Sequence, residues 1–523
     1  MARTPHSSAA RLLVGAVALV VIAAGAALVS GSGTPTAVAG ATADDCLGCR
    51  GFATGQPLRE PQRLVTRDGR LAVTLTARLS QTTIGGRRVR SMVYNGQFPG
   101  PTLVVDPGDD LDVLLRNRMR ADYLPYGASA EDPPPIFPGQ PYAGFPQPLG
   151  QLTNLHVHGM HVSPKQPQDD IFLSLKPGER YQYRYDLPED HPPGLYWYHP
   201  HRHEYVDMQT FAGQAGAIIV RGGLDAVPGV KGLRERLMVI QSTEVRDGAT
   251  TGPQYRVPQW RAITFNGQVQ PRIDLKPGET QRWRIVNATN ERFLQMIPMG
   301  GVDMWEIARD GNSMARPNRV GLLFLSPGQR LEVLVRAKAE PGEWGLVQTY
   351  FNQRPTPYGK QPRVTVATIR VAGEAVEPQP VPATLLPVED LRGDDVEIAR
   401  RREIRFTQSP PKFYINGKLF FDDHGRVGPT LTTKLGTIEE WVLFNDSPEW
   451  HNFHLHVDPY QVVARNGRAT TGAPYWADSI AVPPKQRITI RVPFRDFAGD
   501  FVMHCHVLVH EDHGMMTVVR VVE

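Results

Sequence analysis

Cysteine is scarce. The 523 residues carry only three, Cys46, Cys49 and Cys505, which excludes a small disulfide-stapled fold built on many paired cysteines. Blocks of one charge sign are missing too. Fifty-seven Lys and Arg stand against 53 Asp and Glu, for a formal net charge of +4, and charges so interleaved give no stripe for a polyanion, so no nucleic-acid partner is expected. After Val29 no run is long and apolar enough to span a bilayer as a helix. Long helical periodicity is also absent. Forty-nine glycines and 47 prolines break the chain into short Val/Leu/Ile/Tyr runs joined by turns, the pattern of an all-β protein.

The chain is too long for one hydrophobic core, and ~150 residues per domain suggests three. The N-terminus has the form of an export segment: Arg3 and Arg11, an apolar run from Leu12 to Val29, then small-residue sites at Ala37-Val38-Ala39 and Ala41-Thr42-Ala43. Residues 1–43 are therefore expected to be a signal peptide. The apolar run is also long enough for a retained membrane anchor, and that alternative stays open. Either way the body is expected outside the cytoplasm, secreted or in the cell envelope. No adjacent Arg-Arg pair marks a twin-arginine signal in this segment. Cys46 and Cys49 form a Cys-x-x-Cys pair just beyond it, where an oxidising compartment favours a local disulfide over a copper-handling or redox pair. Cys505 remains as a lone thiol needing an explanation.

An Asn-Gly dipeptide followed by an apolar strand ending in Asn occurs three times: Asn95-Gly96 to Asn117, Asn266-Gly267 to Asn287, and Asn416-Gly417 to Asn445. The copies lie 171 and 150 residues apart, spacings that suit β-sandwiches of seven to nine strands. The expected domains are 60–222, 230–373 and 396–523. They are separated by a Gly/Pro-rich stretch from Arg221 to Gly232 and a Pro-rich linker from Glu374 to Asp395. A further Pro-rich segment, 125–148, is expected to be a surface loop of the first domain.

Histidine is what the sequence concentrates. Random placement of its 16 histidines would give ~0.5 His-x-His pairs; the chain has five, in four clusters. These are His156-Val157-His158, His199-Pro200-His201-Arg202-His203, His451-Asn452-Phe453-His454-Leu455-His456, and His504-Cys505-His506 continuing to His510 and Met515. On a strand, residues i and i+2 face one side, so His-x-His is a two-toothed metal clamp. In His504-Cys505-His506 two imidazoles face one way and the thiolate the other. One tripeptide can thus hold metal on both sides. Cys505, His451, His510 and the thioether of Met515 supply one thiolate, two imidazoles and a weak axial ligand, the set that marks a blue-copper electron-transfer site. A closed tetrahedral zinc site would leave the other clusters unexplained.

These four motifs resemble the copper signatures of the multicopper oxidases, a family that includes laccases, ascorbate oxidases, bilirubin oxidases and bacterial cuprous oxidases. The resemblance implies three consecutive cupredoxin-like Greek-key β-sandwiches and four copper ions. It implies that His451, Cys505, His510 and Met515 hold the type 1 copper, with Met516 as the alternative axial residue. His156 and His454 would hold the type 2 copper, and His158, His199, His201, His456, His504 and His506 the type 3 pair. It further implies dioxygen as electron acceptor and a small molecule or metal ion as donor. Glu511 matches the acid that the family places beside the cluster, and Asp169 is a second candidate with Asp170 as its rival. His161, His203 and His513 are candidate hydrogen-bond partners of the ligands. A laccase-like oxidation of phenols or aromatic amines is the leading expectation. A metallo-oxidase for Cu(I), Fe(II) or Mn(II) is the alternative, weakened because the 13 methionines are scattered, with Met296, Met299 and Met304 the nearest thing to a group. A copper-free structural protein on the same scaffold is a distant third, since such a protein would lack the ligands.

Overall fold

A computed structural model describes residues 46–119, 152–250, 261–354, 359–420 and 430–523. The expected export segment, the stretch 125–148 expected to be a surface loop, His6 and His424 lie outside the described residues.

Nearly all of the regular structure is β, arranged as three pairs of sheets and one two-stranded ribbon, Phe351–Asn352 with Lys360–Gln361. A five-stranded and a six-stranded sheet come first, then a seven-stranded with a five-stranded sheet, then another such pair. Each pair encloses its own core. Leu75, Leu115, Tyr183 and Tyr196 fill the first, Trp283, Ile285, Val333 and Ile369 the second, and Trp441, Phe453, Ile490 and Phe501 the third. A smaller apolar seam joins the first pair to the second, with Trp197, Leu195 and Ile219 packed on Leu237, Val239 and Val286.

The threefold repeat has a physical basis. Asn95, Asn266 and Asn416 all adopt positive φ (53°, 53° and 52°), and the glycines after them do too. Consecutive left-handed residues make the turn whose twist matches a hairpin, and Asn-Gly is the dipeptide that tolerates it. Each Asn side chain also accepts a backbone N–H from a neighbouring strand, of Thr76, Val239 and Arg405 respectively. The strand-ending asparagines repeat as well. Asn117, Asn287 and Asn445 each accept the N–H two residues ahead and donate to a distant carbonyl, of Leu175, Leu325 and Val482 respectively.

Three features of the chain path differ from a plain reading of the sequence. The segment that begins at Cys46 packs into the second core, through Cys46, Cys49 and Leu58; Cys46 and Cys49 are disulfide-bonded and buried there. A small hairpin, Val245–Arg246 with Ala249–Thr250, crosses back to extend the first pair of sheets by pairing Ala249 with Arg90. An open strand edge recruits it, because unpaired backbone groups there need partners. The Pro-rich linker lies on the protein surface: Leu385 and Leu386 pack near Leu224 and Ile307, and the Leu391 carbonyl accepts from Arg491. Among the described residues no helix is long and apolar enough to cross a membrane.

Candidate metal centre

Four short elements carry the histidine clusters. The strand His156–His158 pairs antiparallel with Gly194–His199, setting His156 opposite His199. In the third pair of sheets His451–Leu455 pairs with Gly499–Cys505, setting His454 opposite His504 and Phe453 opposite Cys505. Two short helices follow the ligand strands, Val206–Ala212 and Leu508–Asp512. They meet where the Asp512 carboxylate accepts the N–H of Asp207 at 2.8 Å, which ties the first unit to the third beside the clusters. Sequence periodicity is too short to reveal either helix.

The clusters converge into three sets of buried imidazoles: His156, His158 and His454; His158, His199 and His506; and His201, His456 and His504. In the last set the three Nε2 atoms form a triangle with sides of 3.1, 3.2 and 3.2 Å. Its centre lies about 1.8 Å from each nitrogen, near the ~2.0–2.1 Å of a metal–imidazole bond. His158 and His454 stack with ring centroids 3.8 Å apart, and His156 and His456 at 4.0 Å.

In four of the rings hydrogen bonding holds one nitrogen and leaves the other bare. His156 Nδ1–H donates to Asp169 at 2.7 Å, His158 Nε2–H to Asp478 at 3.2 Å, His199 Nδ1–H to the Pro200 carbonyl at 2.9 Å and His454 Nδ1–H to the Asp478 carbonyl at 2.9 Å. The opposite nitrogens of these four rings are buried without a partner among the described residues, as are both nitrogens of His506. A buried lone pair left bare is costly, so this arrangement fits metal ions at the inward nitrogens. Burial and neighbouring histidines push the pKa of His156, His158, His199, His456, His504 and His506 well down, which keeps these imidazoles neutral, the metal-binding form.

On the other face of the same strand His451 Nδ1 and His510 Nδ1 lie 3.1 Å apart, and Cys505 Sγ is 3.5 and 3.6 Å from them. His451 Nε2 is held by Ser447 Oγ at 2.8 Å, and the Asn452 N–H points at the sulfur from 3.4 Å. Burial pushes the Cys505 thiol up to about 12. A thiolate here therefore needs a cation beside it, which a metal supplies. Met515 belongs to the apolar cluster that contains Cys505, whereas Met516 belongs to a separate one with Ile171 and Val502. Strand alternation separates them.

The two candidate acids are both buried against histidines. Glu511 Oε2 lies 3.0 Å from His504 Nδ1 and Oε1 lies 3.6 Å from His201 Nδ1; burial raises its pKa to about 7. Asp169 accepts hydrogen bonds from His156 Nδ1–H and the Val157 N–H, while Asp170 caps a local turn through the Phe172 N–H. Of the three neighbouring histidines, His161 bonds the Val457 carbonyl at 2.9 Å and Asp496 at 2.8 Å, His513 bonds the Val509 carbonyl at 2.7 Å, and His203 packs edge-on to Phe420.

Asp478 is a residue that sequence reasoning passed over. It touches His158 and His454, and it is gripped by Arg330 of the second unit through two bonds of 2.8 and 2.7 Å. Arg330 also donates to the Leu195 carbonyl of the first unit at 3.1 Å, so one buried guanidinium joins all three units behind the histidines. Its charge is the main force that holds the Asp478 carboxyl down to about 2 against burial. Neither residue sits in a recognisable motif; only the fold brings them together.

Among the described residues one β-branched side chain sits on a left-handed backbone. After His158 the chain turns through Gly159 at φ +83°, but after His456 the matching place is Val457 at φ +66°. A β-branched residue there costs about 1–3 kcal/mol. Val457→Gly is expected to be more stable than Val457→Ala by about 1 kcal/mol in thermal denaturation, reversing the usual order of Ala over Gly. Equal or opposite stabilities would show that no strain is stored.

Buried imidazole sets shared by two units, joined through one tripeptide to a set of one cysteine and two histidines, define a copper-dependent redox protein. Multicopper oxidase family matches cover residues 76–124 with 148–224, 240–373 and 400–523. The chain belongs to the multicopper oxidase family, and is an oxidoreductase that uses dioxygen and an electron-donating substrate. It is 24% identical over 481 residues to the laccase of Bacillus subtilis, covering 81% of this chain and 88% of that one. It is 26% identical over 480 residues to the laccase of Haloferax volcanii, covering 84% and 78%. A solved multicopper oxidase from Campylobacter jejuni, described as a metallo-oxidase, superposes with a TM-score of 0.73 at 25% identity, covering 92% of this chain and 98% of that one.

Proposed function

We propose that this chain is an exported, laccase-like oxidase of phenols and aromatic amines that holds four copper ions. His451, Cys505, His510 and Met515 would hold the electron-accepting type 1 copper, His156 and His454 the type 2 copper, and His158, His199, His201, His456, His504 and His506 the type 3 pair. Copper in these places supplies one-electron acceptance and a store of four reducing equivalents for converting dioxygen to water. The protein's own part is to fix the ligands and move protons. Asp169 and Asp478 orient His156 and His158 through their outward N–H groups. Glu511, beside His201 and His504, is placed to hand protons toward reduced oxygen. Cys505 joins the two centres, because its peptide neighbours His504 and His506 belong to the histidine sets.

The observation that favours an organic donor is the state of the groups nearest His510. Glu449 Oε2 lies 3.4 Å from His510 Nε2, but the carboxylate is already engaged by Arg354 at 3.5 Å and Gln408 at 2.9 Å. A metal-ion donor wants free carboxylates or grouped thioethers. Met296 and Met304 are buried in the second core, and Met299 is exposed away from them. The metallo-oxidase reading retains the Campylobacter jejuni structure as its support. Oxygen uptake by the copper-loaded protein decides between them: 2,6-dimethoxyphenol is expected to be consumed faster than Cu(I), and uptake with Cu(I) alone would overturn the reading. Met515→Leu is expected to raise the type 1 potential in a redox titration and Met516→Leu to leave it unchanged; the reverse would move the axial role to Met516.

A further inference from the structure

A cavity of about 400 Å³ opens between the second and third units, well within the range of small-molecule sites. Phe324, Trp450 and Tyr475 give it aromatic walls. Its charged groups are Glu306, Arg309 and Arg465. Glu306 and Arg309 neutralise each other at 2.7 Å. Arg465 is exposed at the rim and forms no ion pair among the described residues. The site therefore carries one uncompensated positive charge at the edge of an aromatic slot.

The cavity reaches the residue next to a proposed type 1 ligand. Trp450 is the peptide neighbour of His451, and successive side chains on an extended chain point to opposite sides. The His451 ring faces Cys505, while the Trp450 ring packs with Phe351 and Phe293 at centroid distances of 5.1 and 5.8 Å and lines the cavity. A planar ring resting on Trp450 is one residue from a ligand of the proposed type 1 copper.

We infer that this cavity binds aromatic acids, phenols whose ring lies against Trp450 and Tyr475 and whose carboxylate pairs with Arg465. The inference rests on the laccase-like reading above and names the substrate class. Four such phenols each give up one hydroxyl hydrogen and one dioxygen takes up all four, leaving four phenoxyl radicals and two waters.

Binding and turnover test it separately. Calorimetry on the copper-loaded protein would compare 3,4,5-trimethoxybenzoate, which has no phenolic hydroxyl to lose, with uncharged 1,2,3-trimethoxybenzene. The benzoate is expected to bind roughly fivefold tighter or better, as a charge-assisted contact at a partly desolvated rim gives. Arg465→Gln is expected to erase that preference without changing the affinity for the neutral ligand. In turnover, the KM for 4-hydroxy-3,5-dimethoxybenzoate should rise by the same factor in the variant, with that for 2,6-dimethoxyphenol constant. A benzoate preference that survives Arg465→Gln, or no preference in the parent protein, overturns the site. If neither phenol is oxidised but the Arg465-dependent binding holds, the site stands and the laccase-like reading fails.

Discussion

Cys505→Ser is expected to abolish the visible charge-transfer band and to cut substrate oxidation at least ~10³-fold, because residues that act as one unit fail together. Cys505 is fully buried, and its thiol is pushed up to about 12 by that burial, so only a bound cation makes the thiolate. A serine hydroxyl is far more basic and is a harder ligand, so it neither ionises here nor suits a blue-copper site. Shape is almost unchanged, and the Asn452 N–H that approaches the sulfur at 3.4 Å can approach an oxygen instead. The variant should therefore fold, with a thermal midpoint within a few degrees of the parent's when both are copper-free. A variant that kept the band would remove Cys505 from the electron path.

Glu511→Gln is expected to slow the oxygen half of the cycle by about 10²-fold, the usual scale of a lost general acid. Reduction of the protein by the donor without oxygen should keep its rate, since Glu511 faces His201 and His504 and not the Cys505 sulfur face. Stopped-flow reoxidation separates the two halves. Burial raises the Glu511 pKa to about 7, and copper beside it would draw that value downward. The acid form is lost as pH rises through the pKa, so parental turnover should fall over a limb at or below pH 7 that the Gln variant lacks. An unchanged limb in the variant would assign the proton to another group, Asp169 first.

Legibility in the sequence followed locality. Asn-Gly turns, strand-ending asparagines and His-x-His clamps are short-range patterns with direct geometric meaning, and each has its counterpart in the fold. The distinction of Asp169 from Asp170 was not local. It depends on which carboxylate the loop turns toward His156, and that is set by the Val157 N–H and the neighbouring strand. Arg330 and Asp478 are separated by 148 residues and meet only because three units pack around one point. The strain at Val457 was equally hidden, because a valine after a histidine looks like ordinary strand until its φ is known. What the sequence conveyed poorly was every contact made between units.

With four copper ions, one chain would store four reducing equivalents and deliver them together to dioxygen. The most direct test is to load the purified protein with copper, count the metal, and titrate the fully reduced form with a known amount of dioxygen while assaying peroxide. Four copper ions per chain, one dioxygen consumed per four electrons and no free peroxide are the expected result. Two electrons per dioxygen with stoichiometric peroxide, or a single copper per chain after loading, would contradict it.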